Sequence, residues 1–190
     1  MCSEIKAGAL MIDPWESLVR LGRRLAPVWL GCSGGVDSLW LFHFFRYVAK
    51  IEVCPVFFAH PAVYPEEDAG ARALVRAENG LIIDFSVAEM SRVWAGNPER
   101  RCYRCKHHLF SRLRGLAGPG ISLCDGTHAD DVPKRRPGMQ ALNELEIISP
   151  LRLCAWSKTM IREAARNAGL QAWNQAARAC LVVERGWPLP

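Results

Sequence analysis

The most telling part of the chain runs from Val28 to Ser38 and reads VWLGCSGGVDS. Its first five residues, Val28 to Cys32, form a largely apolar run typical of a buried strand, and small residues follow. Two adjacent glycines permit positive φ angles and remove side-chain bulk, so successive backbone N–H groups can point at one anion. A helix predicted from about Asp37 to Val48 would add its positive end at the same place. The pattern therefore predicts a strand, a pyrophosphate-binding loop and a helix.

This loop differs from the phosphate loop that ends in Gly-Lys-Ser/Thr, because no lysine follows its glycines. It resembles the PP-loop of the ATP pyrophosphatases, which transfer AMP from ATP to an oxygen of a second substrate and release pyrophosphate. The resemblance implies that ATP is bound by Ser33, Gly34, Gly35, Val36, Asp37 and Ser38. It also makes Asp37 a Mg²⁺ ligand, a role that suits a hard carboxylate oxygen. The residues alone leave a second interpretation open, in which the segment is an ordinary strand-to-helix turn. Asp37 is then only a residue that the helix dipole favours at the helix start.

With 190 residues, half of them apolar, the chain is long enough for one domain with a buried core. An amphipathic helix is predicted near Trp15 to Leu25, and after the first strand the predicted elements alternate. Strands are expected at Val53 to Ala59, Leu81 to Phe85 and Ile121 to Cys124, and helices at Glu66 to Glu78, after Cys102, after Gly138 and from Ser157 to Ala168. This order predicts an α/β fold, a doubly wound parallel sheet in a single domain. Ligands of such sheets bind at the carboxyl ends of the strands.

The formal net charge of +5 comes with two basic clusters, one at Arg100, Arg101, Arg104 and Lys106 and one at Lys134 to Arg136. Such clusters suit phosphorylated small molecules or nucleic acid, and they are as often plain solvated surface. The sequence shows neither a secretory signal pattern nor an apolar stretch of about 20 residues. We therefore expect a cytoplasmic protein with no membrane span.

Eight cysteines in a cytosolic chain favour metal binding, sulfur chemistry or core packing over disulfides. Cys32, Cys54 and Cys124 lie in apolar strands, where buried thiols are expected. Cys102 and Cys105 form a Cys-x-x-Cys pair, which can bring two thiolates to one metal or cluster, or form a redox dithiol.

A third group of polar residues follows the fourth predicted strand, at Asp125-Gly126-Thr127 and Asp130-Asp131. A glycine at a strand end lets the backbone approach a nucleotide. The paired aspartates can bind Mg²⁺, with Asp131 the weaker candidate beside Asp37, or they can cap a turn. Both interpretations of the aspartates stay open.

A series of motifs stands in the order found in the LarE family of ATP-dependent sulfur transferases, which help to build a nickel-pincer nucleotide cofactor. They are Ser-Gly-Gly-Val-Asp-Ser at Ser33, Asn-Pro-x-x-Arg-Cys-Tyr-x-Cys-Lys at Asn97, Asp-Gly-Thr-x-x-Asp-Asp at Asp125, Arg-Pro-Gly at Arg136, Ser-Pro-Leu at Ser149, Ser-Lys with Ile-Arg at Ser157, and Ala-Cys-Leu at Ala179. The sequence is similar to this family over about residues 15 to 182. We therefore assign residues 1–182 to a PP-loop ATP pyrophosphatase domain and residues 183–190 to a C-terminal tail.

The resemblance implies that ATP adenylylates a carboxylate of a small nucleotide substrate and that sulfur then displaces AMP to give a thiocarboxylate. It places Ala59, Gly126 and Thr127 beside the nucleotide, and makes Cys180, Cys102, Cys105 and Lys106 the catalytic set. In some family members the cysteine matched by Cys180 gives up its own sulfur. In others it joins the Cys-x-x-Cys pair in holding a [4Fe-4S] cluster, the version that the three cysteines favour here. Two other interpretations of the cysteines stay open: a zinc site with His107 or His108 as a further ligand, and free thiols that bind no metal.

Two departures from the family matter. Position 39 is Leu where the family usually has Ser, which we expect to be a mild change on the phosphate side. Residues 182–187 replace the family's usual run after the cysteine, and its C-terminal region with basic residues is missing. Either a partner protein supplies these groups, or the substrate differs, or the chain is an inactive relative, and oligomer formation stays open.

Two other functions stay open. One is a tRNA-thiolating PP-loop enzyme, although the chain lacks the added RNA-binding module of those enzymes and a nucleic-acid partner is not expected. The other is a non-catalytic module that binds ATP or AMP.

Overall fold

The computed structural model describes residues 13–132, 137–176 and 178–188. At its centre, four parallel strands pair in the order β3-β2-β1-β4. Their bounds are β1 Val28–Gly31, β2 Val53–Ala59, β3 Leu81–Asp84 and β4 Ser122–Cys124. In the register, Leu30 of β1 is opposite Pro55 of β2 and Cys124 of β4. The basic cluster Lys134 to Arg136 lies outside the described residues.

Helices connect and flank these strands. They are α1 Pro14–Leu25, α2 Val36–His43, α3 Pro65–Ala77, α4 Val87–Trp94, α5 Arg101–Leu116, α6 Gly138–Glu144, α7 Pro150–Leu153, α8 Lys158–Asn167 and α9 Leu181–Arg185. A π-helical turn, Phe44–Val48, extends α2, and short 3-10 turns span Pro98–Arg100 and Gln171–Asn174. In the described part of the chain, no helix is both long enough and apolar enough to cross a bilayer.

The sheet separates two apolar layers, because successive strand side chains point to opposite faces. Val28 and Leu30 of β1 pack with residues of α2 and α8, including Leu41 and Ile161. Trp29, between them, packs against the other layer, which α4, α5 and α6 supply. The sheet is thus covered by helices on both sides. The predicted α/β class with a parallel sheet in one domain is confirmed.

The strand order explains where a site can form. From β1 the chain adds β2 and β3 on one side and then returns to place β4 on the other side of β1. The loops after β1 and β4 therefore leave the sheet in opposite directions and open a crevice between them. Open parallel sheets bind ligands at such a switch point. The glycine loop at 33–38 and the Asp125–Thr127 turn both lie there.

The predicted boundaries agree with the structure within a few residues. The helix expected after Cys102 begins one residue earlier, at Arg101, because the turn Pro98–Arg100 leads directly into it. The boundary that the sequence places after residue 182 falls inside α9. Cys32 and Cys124 are fully buried as predicted, whereas Cys54 is only partly buried.

Candidate nucleotide and sulfur site

A cavity of about 400 Å³ opens at the switch point. That volume is in the range of small-molecule sites. Its lining includes the loop residues Ser33, Gly35, Val36, Asp37 and Ser38, the β4 turn residues Asp125, Gly126, Thr127 and Asp131, the lysines Lys106 and Lys158, and His60, Glu67, Arg178 and Cys180 from the β2 side. Residues far apart in sequence therefore converge on one space.

The glycine loop has the backbone shape that its sequence predicts. Gly34 adopts φ +85°, a conformation that a side chain would strain. The Ser38 hydroxyl donates to the Gly35 carbonyl at 3.1 Å and accepts from the Ser33 N–H at 3.2 Å. These bonds close the loop on the first turn of α2, so the positive end of that helix faces the cavity.

Gly126 lets the β4 turn approach this loop. A Cβ atom added to Gly126 would lie 2.9 Å from the Ser38 backbone nitrogen and 3.1 Å from its Cα. Backbone atoms at the start of α2 cannot yield to such a contact as a flexible side chain could. A residue without a side chain is therefore required here.

Asp37 is held by Lys158, the first residue of α8. The Lys158 ammonium donates to both carboxylate oxygens of Asp37 at 2.7 Å. The backbone N–H of Lys158 donates to Asp130 at 2.7 Å, and the Ser157 side chain caps the helix. The first turn of α8 thereby fixes a cation at the mouth of the glycine loop.

Asp125 is the centre of a buried polar network. Its Oδ1 accepts from the Ser149 hydroxyl at 2.6 Å, and its Oδ2 accepts from the Thr127 hydroxyl at 2.5 Å. Lys106 reaches the same carboxylate, with Nζ 3.3 Å from Oδ2. Because Lys106 also lines the cavity, Asp125 orients a second cation toward it.

Asp131 lies at the cavity wall and is almost fully buried. One carboxylate oxygen accepts from the His128 N–H at 3.1 Å, and the other lies 3.6 Å from His128 Nε2. Mg²⁺ at nucleotide sites commonly uses one or two carboxylates together with phosphate oxygens. Asp37 and Asp131 both present carboxylates to this cavity, and their assignment as Mg²⁺ ligands stays a prediction.

The three cysteines of the predicted catalytic set have different surroundings. Cys180 is partly buried and lines the cavity, whereas Cys102 is exposed near the start of α5. Burial raises the pKa of the Cys105 thiol to about 12, and the neighbouring Cys180 and Cys102 act in the same direction. The structure therefore places Cys105 near both other thiols and keeps it protonated at neutral pH.

Within residues 13–132, 137–176 and 178–188, no three His, Cys, Asp or Glu side chains are grouped so as to hold a metal ion. The described thiols do not form such a group in this structure, so we derive no step through a cluster. The [4Fe-4S] and zinc assignments stay predictions.

The basic residues of the first cluster have mainly structural roles. Arg101 donates to the Trp94 carbonyl at 3.1 Å, and Arg104 donates to the Val93 carbonyl at 2.9 Å. These bonds satisfy carbonyls at the C-terminal end of α4. Arg100 lies over the Tyr103 ring. Of this cluster, Lys106 is the member that lines the cavity.

At the end of β2, the residue that lines the cavity is not the predicted one, Ala59. Ala59 is buried and its carbonyl accepts from the Phe85 N–H at 2.8 Å, while the following residue, His60, lines the cavity. Leu39 lines a separate, largely apolar groove beside α3. The residue at position 39 therefore lines this groove and not the cavity beside the glycine loop.

Sequence reasoning assigned no role to Lys158, Ser149 or Arg178. The first two belong to motifs that the family resemblance contains, Ser157-Lys158 and Ser149-Pro150-Leu151, so a signal was present for them. Arg178 stands alone between alanines, and no spacing rule marks it. Its position in the cavity depends on contacts with distant α3.

The fold and the cavity define an α/β protein consistent with the PP-loop superfamily. No family model matches the chain. It is 32% identical over 171 residues to an uncharacterized protein of Synechocystis sp., across 87% of this chain and 63% of that relative. It is 27% identical over 177 residues to the pyridinium-3,5-bisthiocarboxylic acid mononucleotide synthase of Lactiplantibacillus plantarum, across 89% of this chain and 62% of that enzyme.

A third relative, an uncharacterized protein of Methanocaldococcus jannaschii, is 29% identical over 141 residues, across 73% of this chain and 53% of the relative. These matches confirm the predicted similarity to the LarE family. It spans between half and two thirds of the length of each of these relatives.

Proposed function

We propose that the protein uses ATP to activate a carboxylate of a small nucleotide and then transfers sulfur to the activated carbon. One observation carries the proposal: Cys180 lines the same cavity as the glycine loop Ser33–Ser38 and the cations Lys106 and Lys158. The similarity to the pyridinium-3,5-bisthiocarboxylic acid mononucleotide synthase supports this substrate class.

The first step forms an acyl adenylate. A carboxylate oxygen attacks the α-phosphorus of ATP, the bond to the β-phosphate oxygen breaks, and pyrophosphate leaves. Loop N–H groups and the α2 N-terminus would hold the β- and γ-phosphates, and Lys158 would neutralise charge that develops on the leaving group. Bound Mg²⁺ would supply further neutralisation beside Asp37 and Asp131.

The second step uses the sulfur of Cys180. Its thiolate attacks the acyl carbon and AMP leaves, which produces a thioester to the protein. Loss of the Cys180 Cα proton to water and cleavage of its Cβ–S bond would release a thiocarboxylate and leave dehydroalanine. A free carboxylate is a poor electrophile, so the adenylate is needed to supply a good leaving group.

The test is one turnover with ATP, Mg²⁺ and a pyridinium dicarboxylate mononucleotide, for the wild type and for Cys180→Ser. We expect substrate-dependent pyrophosphate release from both proteins, because a serine hydroxyl at position 180 leaves the phosphate cradle intact. Thiocarboxylate should form only with the wild type, because a serine oxygen cannot supply sulfur. Mass spectrometry of the protein should show loss of one H₂S.

Other outcomes separate the alternatives. Sulfurated product with an unchanged protein mass would replace the sacrificial step with cluster-borne sulfur. Equal product from Cys180→Ser would remove this residue from the mechanism. ATP binding without any pyrophosphate release would overturn the enzymatic proposal and support a nucleotide-binding module.

A further inference from the structure

Cys180 lies between two attachments to the same part of the molecule, the segment from the end of β2 into the first turn of α3. Two residues before the thiol, Arg178 donates from Nε to Glu67 at 2.9 Å and from Nη2 to Glu66 at 2.8 Å. Directly after it, the Leu181 N–H donates to a carbonyl in the loop that precedes α3, that of Ala62, at 3.0 Å. The chain on either side of the sulfur is therefore tied down.

Tyr64 links the two attachments. The guanidinium carbon of Arg178 lies 3.7 Å from the centroid of the Tyr64 ring. The hydroxyl of the same tyrosine is hydrogen-bonded to the carboxylate of Glu184 in α9. We call Tyr64, Glu66, Glu67, Arg178 and Glu184 the clamp. One aromatic side chain thus contacts the chain both before and after Cys180.

The two acidic partners of Arg178 differ in solvent exposure. The side chain of Glu66 is 65% exposed, whereas that of Glu67 is 20% exposed. Because exposed ion pairs contribute little to stability, the Arg178–Glu67 pair is the stronger of the two ion pairs. Gln175 adds a contact to the same Glu67 oxygen at 3.4 Å. A planar guanidinium can pair with carboxylates and stack on an aromatic ring at once, which a lysine cannot do.

We propose that Arg178 is a positioning residue that sets where the Cys180 sulfur stands in the nucleotide cavity. Glu67, Arg178 and Cys180 all line that cavity, so the clamp holds the thiol within it and not merely near it. The chemical consequence rests on the proposed function, because attack on an acyl adenylate requires the sulfur at a set place. A displacement of about 1 Å can slow such a step by about a hundredfold.

The test compares Arg178→Ala, Arg178→Lys and Tyr64→Phe with the wild type. Arg166→Ala is the matched control, since Arg166 also stacks on an aromatic ring, that of Trp173, on the exposed side of α8. Three quantities are measured: the rate of Cys180 alkylation by iodoacetamide from peptide mass mapping, ATP affinity, and single-turnover thiocarboxylate formation. Circular dichroism confirms that each variant is folded.

We expect Arg178→Ala to raise the alkylation rate several-fold, because the released segment exposes the thiol more often. ATP affinity should stay within about twofold, while thiocarboxylate formation falls at least about tenfold. Arg178→Lys should resemble the alanine variant more than the wild type, because it keeps the charge but loses the planar contacts. Tyr64→Phe should show a smaller rise in alkylation, and Arg166→Ala should match the wild type.

Alkylation at the wild-type rate in Arg178→Ala would overturn the proposal. So would a large loss of ATP affinity at an unchanged alkylation rate, since Arg178 would then bind the nucleotide itself. The two proposals fail separately: if the wild type makes no thiocarboxylate, the sulfur-transfer function is wrong, and the alkylation rates still decide the role of Arg178.

Discussion

At Gly126 the β4 turn closely approaches the glycine loop and the start of α2. We predict that Gly126→Ala weakens ATP binding at least about tenfold, because the new Cβ, 2.9 Å from the Ser38 nitrogen, must displace the start of α2. The free energy of unfolding should fall by about 1–3 kcal/mol, as expected for overpacking. Isothermal titration calorimetry and urea unfolding measure the two effects.

Gly70 offers a matched control within helix α3. A Cβ added there would meet nothing within 4 Å, so Gly70→Ala should stabilise the protein by about 0.5–1 kcal/mol through helix propensity alone. ATP affinity should not change in this variant. If Gly126→Ala bound ATP as the wild type does, the close approach would not be a requirement of the site.

At the level of single residues, the features that could be predicted are those that depend on residues adjacent in the sequence. The glycine loop could be predicted because its backbone conformation follows from adjacent residues, as the positive φ of Gly34 shows. The partners of Asp37 and Arg178 could not be predicted, since Lys158 and Glu67 are more than a hundred residues away from them along the chain. Pairing across such distances is decided by packing.

Between elements, the Asp37–Lys158 pair joins the start of α2 to the start of α8. We predict that Lys158→Met lowers the affinity for Mg²⁺-ATP about tenfold, because a cation facing the phosphates is lost. The free energy of unfolding should fall by no more than about 1 kcal/mol, since both partners are partly exposed. Nucleotide titration on these preparations tests the predicted change in affinity, and denaturant unfolding tests the predicted change in stability.

Lys50→Met is the control, because Lys50 is an exposed residue between α2 and β2, outside the cavity lining. It should leave both ATP affinity and stability unchanged. If Lys158→Met destabilised the protein strongly and bound ATP normally, the ion pair would be a structural link and not part of the nucleotide site.

Elements with a clear hydrophobic period could be predicted, and short ones could not. The strands around Val28 and Val53 follow from continuous apolar runs, and the helix from Lys158 follows from amphipathic spacing. Helices α4, α7 and α9 were not predicted, and none of them is longer than eight residues. The arginines after α4 were considered for phosphate binding, yet Arg101 and Arg104 bond to its terminal carbonyls.

The stability of the whole molecule should depend on pH through His60. Its Nδ1 accepts from the Ala62 N–H at 3.2 Å, and burial lowers its pKa from 6.5 to about 4. Between these two values the unfolded chain binds a proton that the folded protein does not, so stability is complete above about pH 6.5 and is lost as the pH falls toward 4. This single group should remove on the order of 2 kcal/mol between pH 7.5 and 4.5.

His60→Asn isolates that contribution, because its side-chain oxygen can still accept from the Ala62 N–H while carrying no titratable group in this range. Urea unfolding of both proteins at pH 7.5 and 4.5 should show a smaller loss of stability in the variant, by about that 2 kcal/mol. Carboxylates that titrate in the same range, such as Glu66, act equally in both proteins and cancel in the comparison. Identical losses would mean that the folded protein accepts a proton at His60 as readily as the unfolded chain, and the ring would then have to reach water at the cavity mouth.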